Sequence, residues 1–144
     1  QAQNAVWIPE NTLGYESEEM PRLAENRICD FLDHVRAVGV SVVHQIHPAA
    51  MLLSTQKEVS ITKAKRMSPA ARNKPILISS DMRIVDGHHR WLAAYLEDPQ
   101  KRIATIQIGM PITKALDLLE AWNNLDLERP GGDLDFLSAS RMTV

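Results

Sequence analysis

A single cysteine, Cys29, is the only thiol among 144 residues. That excludes an internal disulfide framework and any multi-cysteine metal knuckle, and its place in an apolar helical pattern predicts a buried structural thiol. Aromatic residues are scarce at 5%, and Trp7, Trp91 and Trp122 are expected to pack rather than to serve as base-stacking platforms. No apolar run approaches the roughly 20 residues of a membrane span, and the first residues show no basic-then-apolar signal pattern. A reducing cytoplasm is the expected setting, the host's if the chain is viral. Neither sign of charge dominates. Sixteen Lys and Arg face eighteen Asp and Glu, for a net charge of −2, so no global basic field advertises nucleic acid. A lysine-ending glycine-rich nucleotide loop is absent too, and zinc is not expected, since His44 and His47 have opposite strand parity.

What is present is ordinary globular material, 44% apolar and 24% charged, enough for one domain with one core. Residues 1–39 read as an arm followed by an amphipathic helix. The arm, to about Met20, has no sustained periodicity. Pro21 then suits a first helical turn, and Leu23, Ile28, Phe31, Leu32, Val35 and Val38 recur at helical spacing up to a stop at Gly39. Residues 40–122 form the main domain. A β-branched strand runs from Val40 to Ile46, and Ser54 or Thr55 caps a helix from about 56 to 67 that Ser68-Pro69 ends. A hairpin follows around Asp81, then a helix from about 88 to 97, a strand from Ile103 to Ile108, and a helix capped by Thr113 and running through Trp122. Residues 123–144 read as a tail, with a loop at Arg129-Pro130-Gly131-Gly132-Asp133 and then Leu134, Phe136 and Leu137. The mixture predicts a small α+β fold. Lys57, Lys63, Lys65, Arg66, Arg72 and Lys74 form a basic stretch, read as a solvated helix face and loop.

The most informative stretch is Asp86-Gly87-His88-His89-Arg90. It sits between the apolar runs Pro75–Ser79 and Met82–Val85 and the helix-forming Trp91–Leu96, so it marks a strand end, a glycine turn and a helix start. Such a junction presents unpaired backbone N–H groups and the positive end of a helix dipole, which suits a phosphate. Gly87 permits a positive φ and close approach of a ligand. Arg90 offers a fork of donors for phosphate oxygens. Asp86 has the wrong charge for phosphate, so its functional role is that of a magnesium ligand or a base. His88 or His89 donates to an anion or carries a proton.

Pro75-Ile76-Leu77-Ile78, Ile84-Val85-Asp86-Gly87-His88-His89-Arg90-Trp91 and Ala93-Ala94 together resemble the ParB/sulfiredoxin superfamily over about residues 40–122. The upstream Leu53-Ser54-Thr55-Gln56 resembles the family's first box, and the sequence is similar in style to phage proteins that carry this domain. The resemblance implies a small mixed sheet with flanking helices and nucleotide phosphates at the helix N-terminus. His88 stands where sulfiredoxin has its cysteine, so sulfinic-acid reduction is not implied. Chromosome-partitioning members show glycine, glutamate and two arginines where this box differs. The box is most similar to that of the ADP-dependent free-serine kinases, which implies binding of ATP or ADP with Mg2+ and transfer of phosphate to a small hydroxyl-bearing substrate, or hydrolysis. On that reading Gln56, Gly87, His88, His89 and Arg90 bind the nucleotide and Asp86 holds the metal. Asp86, His89 and Glu58 are catalytic, Glu58 lying near Gln56, the position that matches the kinase's base. The rival readings are a nucleic-acid-binding or nicking module using the basic stretch, and a non-catalytic interaction protein whose termini dock on a protein partner.

Overall fold

The structure is a computed structural model in which residues 5–127 are described; the loop expected at Arg129–Asp133 and the apolar residues after it lie outside them. The fold is mixed α+β, with five α-helices and two sheets among the described residues. Its centre is a four-stranded sheet of β2 (Val42–Pro48), β4 (Ile76–Ile78), β5 (Ile84–Asp86) and β6 (Arg102–Ile108), in the order β2-β6-β4-β5. β6 runs antiparallel to β2 and parallel to β4, and β4 and β5 make the antiparallel hairpin, with a register shift between Leu77 and Ile78. Strand alternation divides the core in two. Leu77, Val85, Ile106 and Ile108 face α1 (Ile28–Ala37) and α5 (Ile112–Leu127), against Phe31, Val35, Leu116 and Leu119. Ile76, Ile78 and Ile84 face α4 (His88–Glu97), against Trp91 and Leu92. β1 (Val6–Trp7) pairs with β3 (Val59–Ser60) beside the short helices α2 (Ile61–Lys65) and α3 (Pro69–Arg72). No helix among the described residues is long and apolar enough to cross a membrane.

Several local expectations change. Pro21 does not open a helix. The chain from Met20 to Leu23 is irregular, and one 3-10 turn, Glu25–Arg27, leads into α1. Met20 and Leu23 are instead buried in the α1/α5 core, so tertiary packing overrides the helical spacing. The helix does end at Gly39, in the left-handed region at φ +87°. There the Val40 N–H bonds the Val35 carbonyl and the Gly39 N–H bonds the Arg36 carbonyl, a Schellman stop. Cys29 is exposed rather than buried, off the stripe that Phe31, Leu32 and Val35 bury.

The expected 56–67 helix shrinks to α2, whose cap is Ser60, accepting from the Lys63 N–H. Ser54 and Thr55 are buried and occupied elsewhere, as shown below. Ser68 does more than end a helix: it caps α3, with Pro69 in the first turn. Thr113 lies inside α5, which begins at Ile112 and continues past Trp122 to Leu127. Its start is served from a distance. The Asp81 carboxylate, in the β4–β5 turn, accepts from the Ile112 N–H at 3.1 Å. The arm is also tied down, by the β1–β3 pairing and by Arg83 Nη1, which donates to the Asn11 and Ser54 carbonyls at 2.5 and 2.8 Å.

Candidate functional site

β5 ends at Asp86, Gly87 turns the chain through φ +108°, ψ 26°, and α4 starts at His88. No side chain caps that end. The first bond within the helix runs from the Trp91 N–H to the Gly87 carbonyl at 3.0 Å, so the amides of His88, His89 and Arg90 have no acceptor in their own helix. Packing fixes the helix in place. Trp91 is buried, its indole N–H donating to the Ala49 carbonyl at 2.8 Å, and Trp7 and Tyr95 lie against its ring.

Residues 53–56 form a strap across this helix end. Leu53 bonds the Met82 carbonyl and receives the Ile84 N–H, and the Thr55 hydroxyl donates to the Ile84 carbonyl at 2.7 Å. The strap's last two amides, Thr55 and Gln56, both donate to His88 Nε2, at 3.0 and 3.2 Å. His88 is only 4% exposed. Burial, and then the charge of neighbouring His89, push its pKa down to about 3. The imidazole is therefore neutral, and because Nε2 accepts twice, its proton sits on Nδ1. Sequence spacing offered His88 as a ligand donor; here its Nε2 holds the strap.

His89 makes a similar contact one residue on. Its Nε2 accepts from the Ser60 N–H at 3.2 Å, at the start of α2, and burial followed by the Lys63 charge lowers its pKa. Arg90 folds back to pair with Asp86, Nη2 to Oδ2, at 3.2 Å, with the two side chains 14% and 28% exposed. Burial raises the Asp86 pKa, an effect that Arg90 opposes. The guanidinium lies so close over Gly87 that a Cβ there would sit 2.9 Å from Nη2.

Two adjoining hollows open onto this arrangement. The smaller, about 260 Å³, is lined by Asp86, Gly87, His88, His89 and Arg90, and closed by Gln56, Ser17 and the segment from Met20 to Leu23. The larger, about 510 Å³, is lined by Glu16, Glu18, Glu58, Ser60, Lys63 and Arg66 among others. Ser17, Gln56 and His89 belong to both walls. The five residues of the glycine box are thus brought together. Glu58 is not with them: it faces the larger hollow, and Asp86 the smaller. Gln56 bridges the two, its carbonyl accepting from the Thr12 and Ser54 hydroxyls. Among the described residues no group of three or more His, Cys, Asp and Glu is set to hold a metal ion. Among the described residues Asp86 is the only carboxylate lining the smaller hollow.

Sequence reasoning missed three parts of this site. Ser17 and the Met20–Leu23 segment carry no motif, and only the folded path brings them over the glycine bend. Lys63 and Arg66 lay within the stretch read as a solvated face. Their three-residue spacing places them on one side of a helix, but that signal is usable only once Ser60 is known as the cap. The remaining cations of the stretch are largely neutralised, Lys57 by Glu16, Lys74 by Glu25 and Arg72 by Glu97. Compared with protein-family models, with curated proteins and with solved structures, the chain finds no match in any of the three.

Proposed function

We propose that the smaller hollow binds the phosphates of ATP or ADP and that the protein transfers or hydrolyses the terminal phosphoryl group, in a ParB/sulfiredoxin-like domain. The observation that carries this reading is the left-handed Gly87 bend opening into a hollow. That hollow is lined by His88, His89 and Arg90, whose amides open α4 without an acceptor in their own helix, and by the Arg90 guanidinium. Each favours an anion, with Asp86 offsetting the Arg90 charge until a cation balances it. Asp86 fits a supporting part. Its Oδ2 holds Arg90, while its Oδ1 makes no bond among the described residues and would hold Mg2+, which would supply charge neutralisation for the phosphates. One carboxylate with substrate phosphates and water is a common magnesium arrangement.

The larger hollow is then the place of a small hydroxyl-bearing acceptor or of water. Glu58 accepts the hydroxyl proton, the oxygen bonds to phosphorus, and the bond to the nucleotide's bridging oxygen breaks. The amides and Arg90 stabilise the charge left on the nucleotide. His89, with Nε2 on Ser60 and its proton on Nδ1, donates to the moving phosphoryl group from the wall that both hollows share. Such chemistry relies on positioning and charge neutralisation more than on covalent steps.

Thermal unfolding with and without ADP or ATP plus magnesium tests the reading. Nucleotide at a hundredfold its Kd adds about 2.7 kcal/mol, a rise of roughly 5–10 °C for a domain near this size. Arg90→Ala removes the shift, and Glu58→Gln keeps the shift while abolishing turnover. No shift with any nucleotide refutes the proposal.

A further inference from the structure

On the far side of Arg90 lies a third concavity, about 580 Å³, between α3, α4 and the start of β6. Arg90 is part of both walls, separating this groove from the smaller hollow. The groove has two surfaces of different chemistry. Its lining includes the aliphatic Ile76, Ala93, Ala94 and Ile103. Its charged groups are Arg72, Lys101, Arg102 and Glu97, together with Lys74 and Arg90, which pair outside it with Glu25 and Asp86. Glu97 bonds both Arg72, at 3.0 Å, and Lys101, at 2.6 Å. Two cations therefore share one carboxylate, and Arg102 has no ion-pair partner among the described residues. A surplus of about two positive charges stands over an apolar lining.

A second observation points the same way. Among the described residues only two buried side-chain nitrogens or oxygens lack a hydrogen-bond partner, Arg72 Nε and Arg90 Nε, and both arginines line this groove. Arg72 directs Nη1 to Glu97 and makes a long contact from Nη2 to the Lys65 carbonyl, which leaves Nε–H without an acceptor. A buried unmatched donor on a cation is unfavourable, and an oxyanion in the groove gives the Arg72 guanidinium an acceptor, while Arg90 stays over Gly87 beside Asp86.

We infer that this groove binds a small organic anion, a phosphate or carboxylate group on an apolar body, at a site separate from the glycine bend. The apolar body lies on Ala93, Ala94 and Ile103, and Arg72 and Arg102 take the anionic head. A nucleic-acid strand fits less well. Among the described residues the groove has no aromatic ring to stack on a base, and the chain as a whole carries a net charge of −2.

The test uses the full chain, with amide chemical shifts and titration calorimetry. The probes are phenyl phosphate, phenylacetate, inorganic phosphate and a thymidine oligonucleotide. Phenyl phosphate or phenylacetate, whichever head group is preferred, is expected to shift the amides of Ala93, Ala94 and Ile103. It should bind at least tenfold more tightly than inorganic phosphate. Arg102→Gln, an exposed substitution that leaves the fold intact, and Arg72→Gln should each weaken it tenfold or more. Neither should alter the nucleotide-induced thermal shift assigned to the smaller hollow, so failure here and failure there are distinguishable. The inference is overturned by shifts confined to His88–Arg90, by unchanged affinity in Arg102→Gln, or by preferential binding of the oligonucleotide.

Discussion

Replacing His88 by glutamine should flatten the acid side of the protein's stability profile. In the native fold Nε2 accepts from the Thr55 and Gln56 amides, and protonating it forfeits both bonds as well as charging a buried ring. The folded pKa is held at about 3 by burial and then by His89, against an ordinary value of 6.5. A base whose pKa falls on folding contributes stability that is complete above the unfolded value and lost as pH drops through it. Between pH 7 and pH 5 that loss is about 2 kcal/mol from His88 alone, or roughly 4–8 °C in Tm for a chain near this length. His89 is shifted in the same direction and adds to the loss. Asp86, whose pKa is raised, works against it, because the folded state takes up its proton before the unfolded chain does.

Glutamine places an amide oxygen near the Nε2 position, so the strap keeps an acceptor that does not titrate. Urea unfolding of the wild type and His88→Gln at pH 7 and pH 5 isolates this one residue, since His89 and Asp86 contribute to both proteins. The expected result is a smaller pH-dependent loss in the variant, by about 2 kcal/mol. His88→Ala should be less stable at both pH values, because two amides lose their acceptor, at about 1–3 kcal/mol each. Equal acid sensitivity in wild type and His88→Gln would refute the reasoning.

Gly87→Ala forces a side chain into the left-handed region and towards the guanidinium, since its Cβ would meet Arg90 Nη2 at 2.9 Å. The expected cost is about 1–3 kcal/mol by thermal unfolding, with Arg90 displaced and nucleotide binding lost. A variant as stable as the wild type contradicts the geometry. Asp81→Ala should cost about 1 kcal/mol, the usual value of a helix cap, by removing the acceptor of the Ile112 N–H. Thr113→Ala should change stability by less than that, and the reverse order in urea midpoints would restore Thr113 as the cap.

The glycine box was legible because all its signals are local. An apolar strand, an Asp-Gly step and a run of helix formers fall within about a dozen residues, and β5, Gly87 and α4 lie where that pattern puts them. The hairpin and β6 were legible for the same reason. Ser54 and Thr55 were misread because their cap-like chemistry is directed across the fold. Thr55 bonds Ile84 and His88, some thirty residues away, and Ser60 caps α2 in their place. Thr113 was displaced by Asp81, a cap supplied from another turn that no local spacing encodes. Cys29 lies within α1 but off the stripe that Phe31, Leu32 and Val35 bury, so helical spacing alone misplaced it. Pro21 failed because the apolar stripe was extended too far towards the N-terminus, where Met20 and Leu23 reach the core from irregular backbone. At the site itself, the residue types were readable but their division between two hollows was not. Nothing in the spacing from Gln56 to Glu58 shows that Glu58 lines a different hollow from Asp86.

The most direct test of the central claim is to titrate ADP and magnesium into the isotope-labelled protein and follow its backbone amides. The largest and saturable shifts should fall on Gly87, His88, His89 and Arg90, with smaller ones at Gln56, and Arg90→Ala should abolish them. Shifts centred elsewhere, or none at millimolar nucleotide, would contradict a phosphate-binding role for the Gly87 bend.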